Sequence, residues 1–479
     1  AWAGVPKDSL ETNRTYNPFH YPNQTDNYQQ DHYQVLFSQQ LNKHLLLNAA
    51  LHYTYGRGYY EEYQGLDDPY AATSFAYYGL NDVITGDDTI SNTNLVRQKW
   101  LDNDFYGLTC SFDYHRNKFN AILGGSYNIY FGRAFGKLIW SEYASNSYPG
   151  YEWYNNTSTK QDFNIYGKFS VQLSDPFSFF IDLQYRHIDW EMEGTEDAFG
   201  DISQSHLFSF FNPKAGLQYN FNPKNETYFS FAVANREPSR QNYIDASADL
   251  REPGPETLYD FELGYAYRAS RLLLVTNIYY MKYDDQLVAT GEIDNVGYAI
   301  LRNVPNSYRI GLELSFGVQI IKKLRWDANG TFSQNKILDF VESLDDFDVG
   351  EKQLNHYAKT DISFSPGIIA GSNISYEITN NFQAGLISKY VSRQYIDNTG
   401  SRDRSIKPYF VNNLRLNYSI NTNLIKQIAF HFEIINLFNE MYESNAWVYR
   451  YIWGGEYQSS SGYFPQAGIH FMGGVTLKF

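Results

Sequence analysis

From Asp31 to its last residue the chain alternates between apolar and polar positions. In the final stretch, SGYFPQAGIHFMGGVTLKF from Ser461 to Phe479, Ile469, Phe471, Gly473, Val475, Leu477 and Phe479 share one face of an extended chain. His470, Met472, Gly474, Thr476 and Lys478 share the other. Neighbouring side chains of a strand point to opposite faces, so one face suits hydrocarbon and the other water. A strand of about ten residues with this dyad is what a transmembrane β-barrel needs, and a closing Phe479 fits its last strand as an assembly signal.

The same pattern recurs. Ile310, Leu312, Leu314, Phe316, Val318 and Ile320 alternate with Gly311, Glu313, Ser315, Gly317 and Gln319. Leu324, Trp326, Ala328, Gly330 and Phe332 alternate with Arg325, Asp327, Asn329, Thr331 and Ser333, and Tyr259, Phe261, Leu263, Tyr265 and Tyr267 with Asp260, Glu262, Gly264, Ala266 and Arg268. A charge facing lipid near the midplane costs ~2–4 kcal/mol. The charged faces must therefore point inward, which predicts a polar lumen.

About seventeen strands are predicted, centred near residues 35, 50, 108, 128, 168, 184, 215, 230, 262, 277, 314, 330, 368, 387, 415, 432 and 472. Short turns such as Asn42-Lys43-His44, Ser174-Asp175-Pro176 and Asn380-Asn381 alternate with long connections near 64–98, 142–158, 194–206, 236–255, 285–307, 340–358, 397–405 and 442–461. Outer-membrane barrels pair short periplasmic turns with long external loops in this way. The fold class is thus all-β, a transmembrane antiparallel β-barrel over residues 31–479, with 1–30 read as the remnant of an external loop. A large soluble sandwich or propeller is disfavoured by strands often longer than ten residues and by the lack of a blade-like period.

The strand count changes the picture. Single-chain bacterial barrels have an even number of strands, so an odd number is expected before residue 1, about five if the barrel has about 22. The amino-terminal AWAGVPKDSLETNRTYN has no basic and apolar leader, so the chain is expected to be incomplete at that end.

Composition agrees with a barrel. Aromatic residues make up 18% of the 479, with 44 Tyr and 34 Phe, yet the hydrophobic fraction is only 43%. Alternating strands average out their own hydrophobicity, while two interfacial girdles consume aromatics. No apolar run approaches the ~18 residues of a membrane-spanning helix. A net charge of −15 disfavours nucleic acid as a partner. The single Cys110, among Tyr106, Leu108, Phe112 and Tyr114, excludes a disulfide scaffold or a cysteine metal site and reads as a small apolar filler.

Four passages resemble the TonB-dependent outer-membrane transporters of Gram-negative bacteria. They are YFSFAVANREPSR at Tyr228 to Arg240, GPETLYDFELGY at 254–265, NVPNSYRIGLELSF at 303–316, and the carboxyl end with KYVSRQYIDNT, INLFNEMY and the closing strand. Phe261-Glu262-Leu263-Gly264 departs mildly from the family's Tyr-Glu-x-Gly pattern. The resemblance covers essentially the whole chain. It implies a 22-strand barrel, an amino-terminal plug and a segment that binds TonB, the latter two not visible in this sequence. Outer-membrane lipid, the plug and first strands, TonB and a surface lipoprotein are the partners expected, and no cofactor is implied.

Candidate chemistry is sparse. The ten histidines are scattered, and His52, His431 and His470 fall in polar strand phases as lumen wall. Asp345, Asp346, Asp348 and Glu351 lack the ligand spacing of a calcium loop and read as a solvated external loop. Ser333-x-x-Lys336 lies on a strand, and Gly56-Arg57-Gly58 reads as a turn without a following helix, so neither is a catalytic or phosphate motif. No nucleophile, base and orienting group can be assembled, and the chain reads as a non-enzyme without a metal site.

What remains is a binding surface. Arg236, Arg240 and Tyr243 are placed near the mouth, and Trp447, Tyr449, Tyr451 and Trp453 recur at every second position of the last long loop. Aromatics can stack on a flat ligand and guanidinium groups can grip an anionic one. The resemblance implies active uptake of a scarce ligand, most often a ferric siderophore, with cobalamin, haem or a glycan as other options. A passive porin, a surface adhesin or an outer-membrane hydrolase are the competing classes.

Overall fold

Along Ala299–Ile321 the apolar phase lies open on the outer side of the wall. Ile310 is 42% exposed, and on the two flanking strands Ile278 is 51% and Phe332 47% exposed. Leu312 stands opposite Ile278 on one flanking strand and Phe332 on the other. On the opposite face Glu313 pairs with Asn277 and Thr331, and the Asn277 amide donates to its carboxylate at 3.4 Å. Such a continuous apolar exterior far exceeds what a soluble monomer exposes. It is the surface a lipid-facing strand requires.

The computed structural model describes residues 4–17, 20–68, 71–197, 200–246, 252–293 and 299–479. Parts of the expected amino-terminal and external loops, at 18–19, 69–70, 198–199, 247–251 and 294–298, lie outside the described residues. Two compact units divide the chain: one consists mainly of Asn17–Gln172 and Phe180–Pro213, the other mainly of Lys214–Phe479 with Leu173–Phe179 and the described residues up to Tyr16.

In the first unit Asp26–Asn42, Leu45–Gln64, Leu95–Arg116, Phe119–Ser141 and Tyr151–Gln172 form consecutive antiparallel ladders. In the second, Asn225–Arg236, Glu256–Arg268, Leu272–Ile293, Ala299–Ile321 and Leu324–Asp346 continue in the same manner. Ile368–Thr379, Phe382–Val391, Tyr409–Ile420, Gln427–Ile435 and His470–Lys478 follow. With Phe177–Glu196 and Gln204–Asn222 these are the seventeen predicted strands.

Among the described residues 22 strands take part in one sheet, antiparallel but for one short pairing, and five of them were not foreseen. These are the two-residue Val5–Pro6 and Gly200–Asp201, and Glu351–Asp361, Glu443–Trp453 and Glu456–Pro465 in segments expected to be loop. The expected connection 285–307 is likewise mostly strand, because Leu272–Ile293 and Ala299–Ile321 run on past the lipid belt. Beyond the bilayer an antiparallel ladder still satisfies every backbone group it adds, and the outward face no longer has to be apolar. The apolar alternation used to find strands therefore stops before the strands do.

Gly56-Arg57-Gly58 is not a turn but lies within Leu45–Gln64. A Cβ on Gly58 would stand 2.2 Å from the Asn27 carbonyl oxygen and 2.6 Å from Tyr28 Cα, so the glycine permits close approach of the adjoining strand.

Candidate ligand-binding surface

Strand direction places the chemistry. Short turns such as that after Arg268 mark the end that outer-membrane barrels keep on the periplasmic side, so the far ends of Asn225–Arg236, Leu272–Ile293 and Leu324–Asp346 are the long-loop ends, called external below. There Arg236 ends its strand opposite Glu256, and its Nε lies 3.0 Å from Glu256 Oε1. The pair is more than half exposed at the arginine and holds a strand end. Arg240 opens the short helix Arg240–Ile244, which begins with a capping box of Ser239 and Asn242. Tyr243 on that helix is buried, and burial with the negative charges of Glu252 and Glu237 pushes its hydroxyl up to about 12.

The other predicted group lies on Glu443–Trp453, which turns through Gly454-Gly455 into Glu456–Pro465. Both glycines have positive φ, 67° and 76°, as a two-residue hairpin turn requires. Their N–H groups donate to the Asp348 carboxylate at 2.9 and 2.7 Å. Asp345 and Asp346 add a short parallel pairing with Tyr451 and Ile452, joining this hairpin to the tip of Leu324–Asp346. Asp348 thus acts as a clamp between two hairpins, a role its sequence neighbourhood does not reveal.

The four aromatics differ in their surroundings. Trp447 is buried, whereas Trp453 is 61% exposed. Tyr449 and Tyr451 stack with centroids 5.5 Å apart, and Phe347 meets Tyr451 and Trp453 edge-on at 5.7 and 6.4 Å. The Tyr449 hydroxyl donates to Asp345 Oδ2 at 2.8 Å. Phe347, at the tip of the neighbouring hairpin, completes the row and escaped the sequence reading because the pairing that brings it there joins segments about a hundred residues apart.

Below these hairpins a cavity of about 270 Å³ is lined by Glu292, Arg302, Phe340, Glu342, Asp397 and Arg450 among others. The Arg450 guanidinium pairs with Glu342, which also accepts from Tyr357 at 3.0 Å and Asn355 at 3.2 Å. Arg404 Nε lies 2.5 Å from Asp397 Oδ2.

The first unit carries a second external cluster. Arg97 is 7% exposed, and its Nε lies 2.6 Å from Glu62 Oε2. Asp197 accepts from Lys99 at 2.7 Å, from Tyr77 at 2.5 Å and from the Trp153 indole at 3.0 Å. Burial pushes the Glu62 and Asp197 carboxyls up, but Arg97, Lys99 and the hydroxyl donors outweigh it and hold both below the ordinary carboxylate range. Tyr78, which also accepts from Arg97, packs with Phe75, Leu80, Leu95 and Leu138 in a small dry core. Residues 71–80 of the connection after Gln64 are therefore tied down on this core, while the hairpin Val83–Ile90 beyond them is largely open to solvent.

Among histidines, His52 Nε2 lies 3.0 Å from Asn128 and His431 Nδ1 2.8 Å from Asn417, both in side-chain networks between strands. Lys336 pairs with Asp361 at 2.5 Å. Among the described residues no group of three or more His, Cys, Asp and Glu is arranged to hold a metal ion.

The sequence matches the model of the family described as TonB dependent receptor-like, beta-barrel, over residues 2–437. The chain belongs to that family. Solved structures agree on the fold. The siderophore receptor PiuA of Acinetobacter baumannii is 13% identical, with a TM-score of 0.67 over 94% of this chain and 64% of its own. The ferric citrate transporter FecA is 13% identical at a TM-score of 0.65, over 99% of this chain and 65% of its own, and the copper transporter OprC is 12% identical at 0.67, over 94% and 65%. This receptor barrel thus spans a little under two thirds of the length of these three structures. No curated protein matches the sequence.

Proposed function

We propose that the chain is the barrel portion of a TonB-dependent active transporter in the outer membrane of a Gram-negative bacterium, taking up a ferric siderophore or similar iron chelate. The observation that carries this reading is the family match across residues 2–437, supported by structural neighbours named for siderophore, ferric citrate and copper transport. The polar inner faces of the strands make a hydrophilic wall. The external ends carry the groups for capture: Arg236, Arg240 and Tyr243 on one side, and Tyr449, Tyr451 and Trp453 with Phe347 on the other.

In this mechanism external loops bind the chelate and the barrel serves as wall and docking rim. A plug of the kind such receptors carry moves when TonB pulls on it from the periplasm. A passive porin is the competing reading. Uptake of radiolabelled iron chelates by cells carrying the full-length receptor, with and without TonB, separates the two. Loss of uptake without TonB supports active transport, and undiminished uptake together with free ion conduction by the purified protein refutes it.

A further inference from the structure

The cavity beneath the hairpin tips contains one cation with an unfilled hydrogen-bonding position. Two of the carboxylates that line it are firmly held, Glu342 by Arg450, Tyr357 and Asn355 and Asp397 by Arg404 and Thr399, as is nearby Asp345 by Lys352 and Tyr449. Arg302 is different. Its Nε is buried and has no hydrogen-bond partner among the described residues, and its Nη2 approaches Glu292 Oε2 only to 4.0 Å, the outer limit of an ion pair. A buried guanidinium N–H left unmade costs its full desolvation, so an occupied state that satisfies it is favoured over the empty one.

We propose that this cavity is a subsite for a carboxylate arm of the ligand, gripped side-on by Nε and Nη2 of Arg302. The guanidinium fork matches the two oxygens of a carboxylate, a geometry a lysine cannot reproduce. At about 270 Å³ the cavity falls below the range for a whole drug-sized ligand and suits a single arm. Its walls come from the external ends of Leu272–Ile293, Ala299–Ile321 and Leu324–Asp346, roofed by Asn398, Thr399, Val448 and Arg450. Glu292 is the internal competitor for Arg302. Burial pushes its carboxyl up, Arg302 and Lys352 draw it down and Asp345 pushes it up again, leaving it above the ordinary range, so it is a weak rival for the guanidinium.

The inference rests on the reading of the chain as a receptor only for what the arm belongs to. The site itself is tested with succinate as probe and its neutral diamide, succinamide, as control, by ligand-observed NMR on the full-length receptor in detergent. Succinate is expected to bind and succinamide not. R302Q is expected to weaken succinate at least tenfold, R302K severalfold, and E292Q to tighten it, since the internal competitor is gone. Unchanged heat-resistant migration of each variant on gels shows that the barrel is intact. Succinate binding that R302Q leaves unaltered, or that E292Q weakens, overturns the proposal whether or not the protein transports. Arg302-dependent binding in a receptor whose uptake ignores TonB would keep the subsite and remove the transporter reading.

Discussion

The Tyr449 hydroxyl reaches Asp345 at 2.8 Å across 104 residues of sequence, tying two external hairpins that the chain order keeps far apart. Its neighbours repeat the tie, with Phe347 against Tyr451 and Trp453, and Asp348 under Gly454 and Gly455. Replacing Tyr449 by Phe removes one hydrogen bond to a charged group, a loss of about 1.5–3 kcal/mol in local stability. Hydrogen exchange at the amides of residues 445–460 should accelerate accordingly, while exchange in Ala299–Ile321 stays as it was.

The same contact makes the hairpin pair sensitive to acid. Burial pushes the Asp345 carboxyl up, but the Tyr449 hydroxyl and Lys352 outweigh it and leave it below its ordinary value. A carboxylate depressed in the folded state contributes stability that is present above its unfolded pKa and is lost as pH falls through the folded one. The fluorescence of Trp453 should therefore be constant from neutral pH down to the ordinary carboxylate range and change below it, and Asp345→Asn should abolish the transition.

In the first unit, Arg97 sits between Glu62 and Asp197 out of reach of water. Breaking a buried pair by removing one partner costs about 3–5 kcal/mol, because the remaining charges lose their compensation. Arg97→Met is expected to release the loop after Gln64, read as new cleavage by added protease between residues 71 and 94 on intact cells. Protection equal to that of the native receptor would mean that the small core of Phe75, Tyr78 and Leu80 holds the loop without the ions.

The strands were legible in the sequence because a single physical demand, apolar outside and polar inside, is written into every second residue. Ile310, Leu312 and Leu314 against Gly311, Glu313 and Ser315 needed no knowledge of neighbours. The external structure was not legible in this way. Glu351–Asp361 forms a ladder without an apolar face, and the alternating aromatics of Glu443–Trp453 read as a binding loop, so neither carries a lipid signal. Gly56-Arg57-Gly58 had the composition of a turn, while its true constraint is the backbone of Asn27 and Tyr28 on the adjoining strand. Arg302 and the carboxylates around it come from strands and loops that converge only in the folded wall, and no local pattern marks them. Of the residues proposed for capture, Tyr449, Tyr451 and Trp453 come together with Phe347, whereas Trp447 is buried.

Charge on the outward face should be costly and charge on the inward face should not. Leu263 is 52% exposed on the outer phase of Glu256–Arg268, and Leu263→Arg is expected to cost ~2–4 kcal/mol. Urea unfolding in lipid vesicles measures it. The inward Ser315→Lys, at an exposed position across from Asn329, should be near neutral by comparison.

The central claim is that this chain is the wall of a membrane barrel with a hydrocarbon face and a water face. Spin labels placed one at a time on cysteines at positions 310 to 317, in a Cys110→Ser background and in lipid, test it most directly. Accessibility to oxygen should peak at 310, 312, 314 and 316, and accessibility to a water-soluble nickel complex at 311, 313, 315 and 317. Profiles that do not alternate, or labels at 310, 312 and 314 shielded from both reagents, would contradict the account.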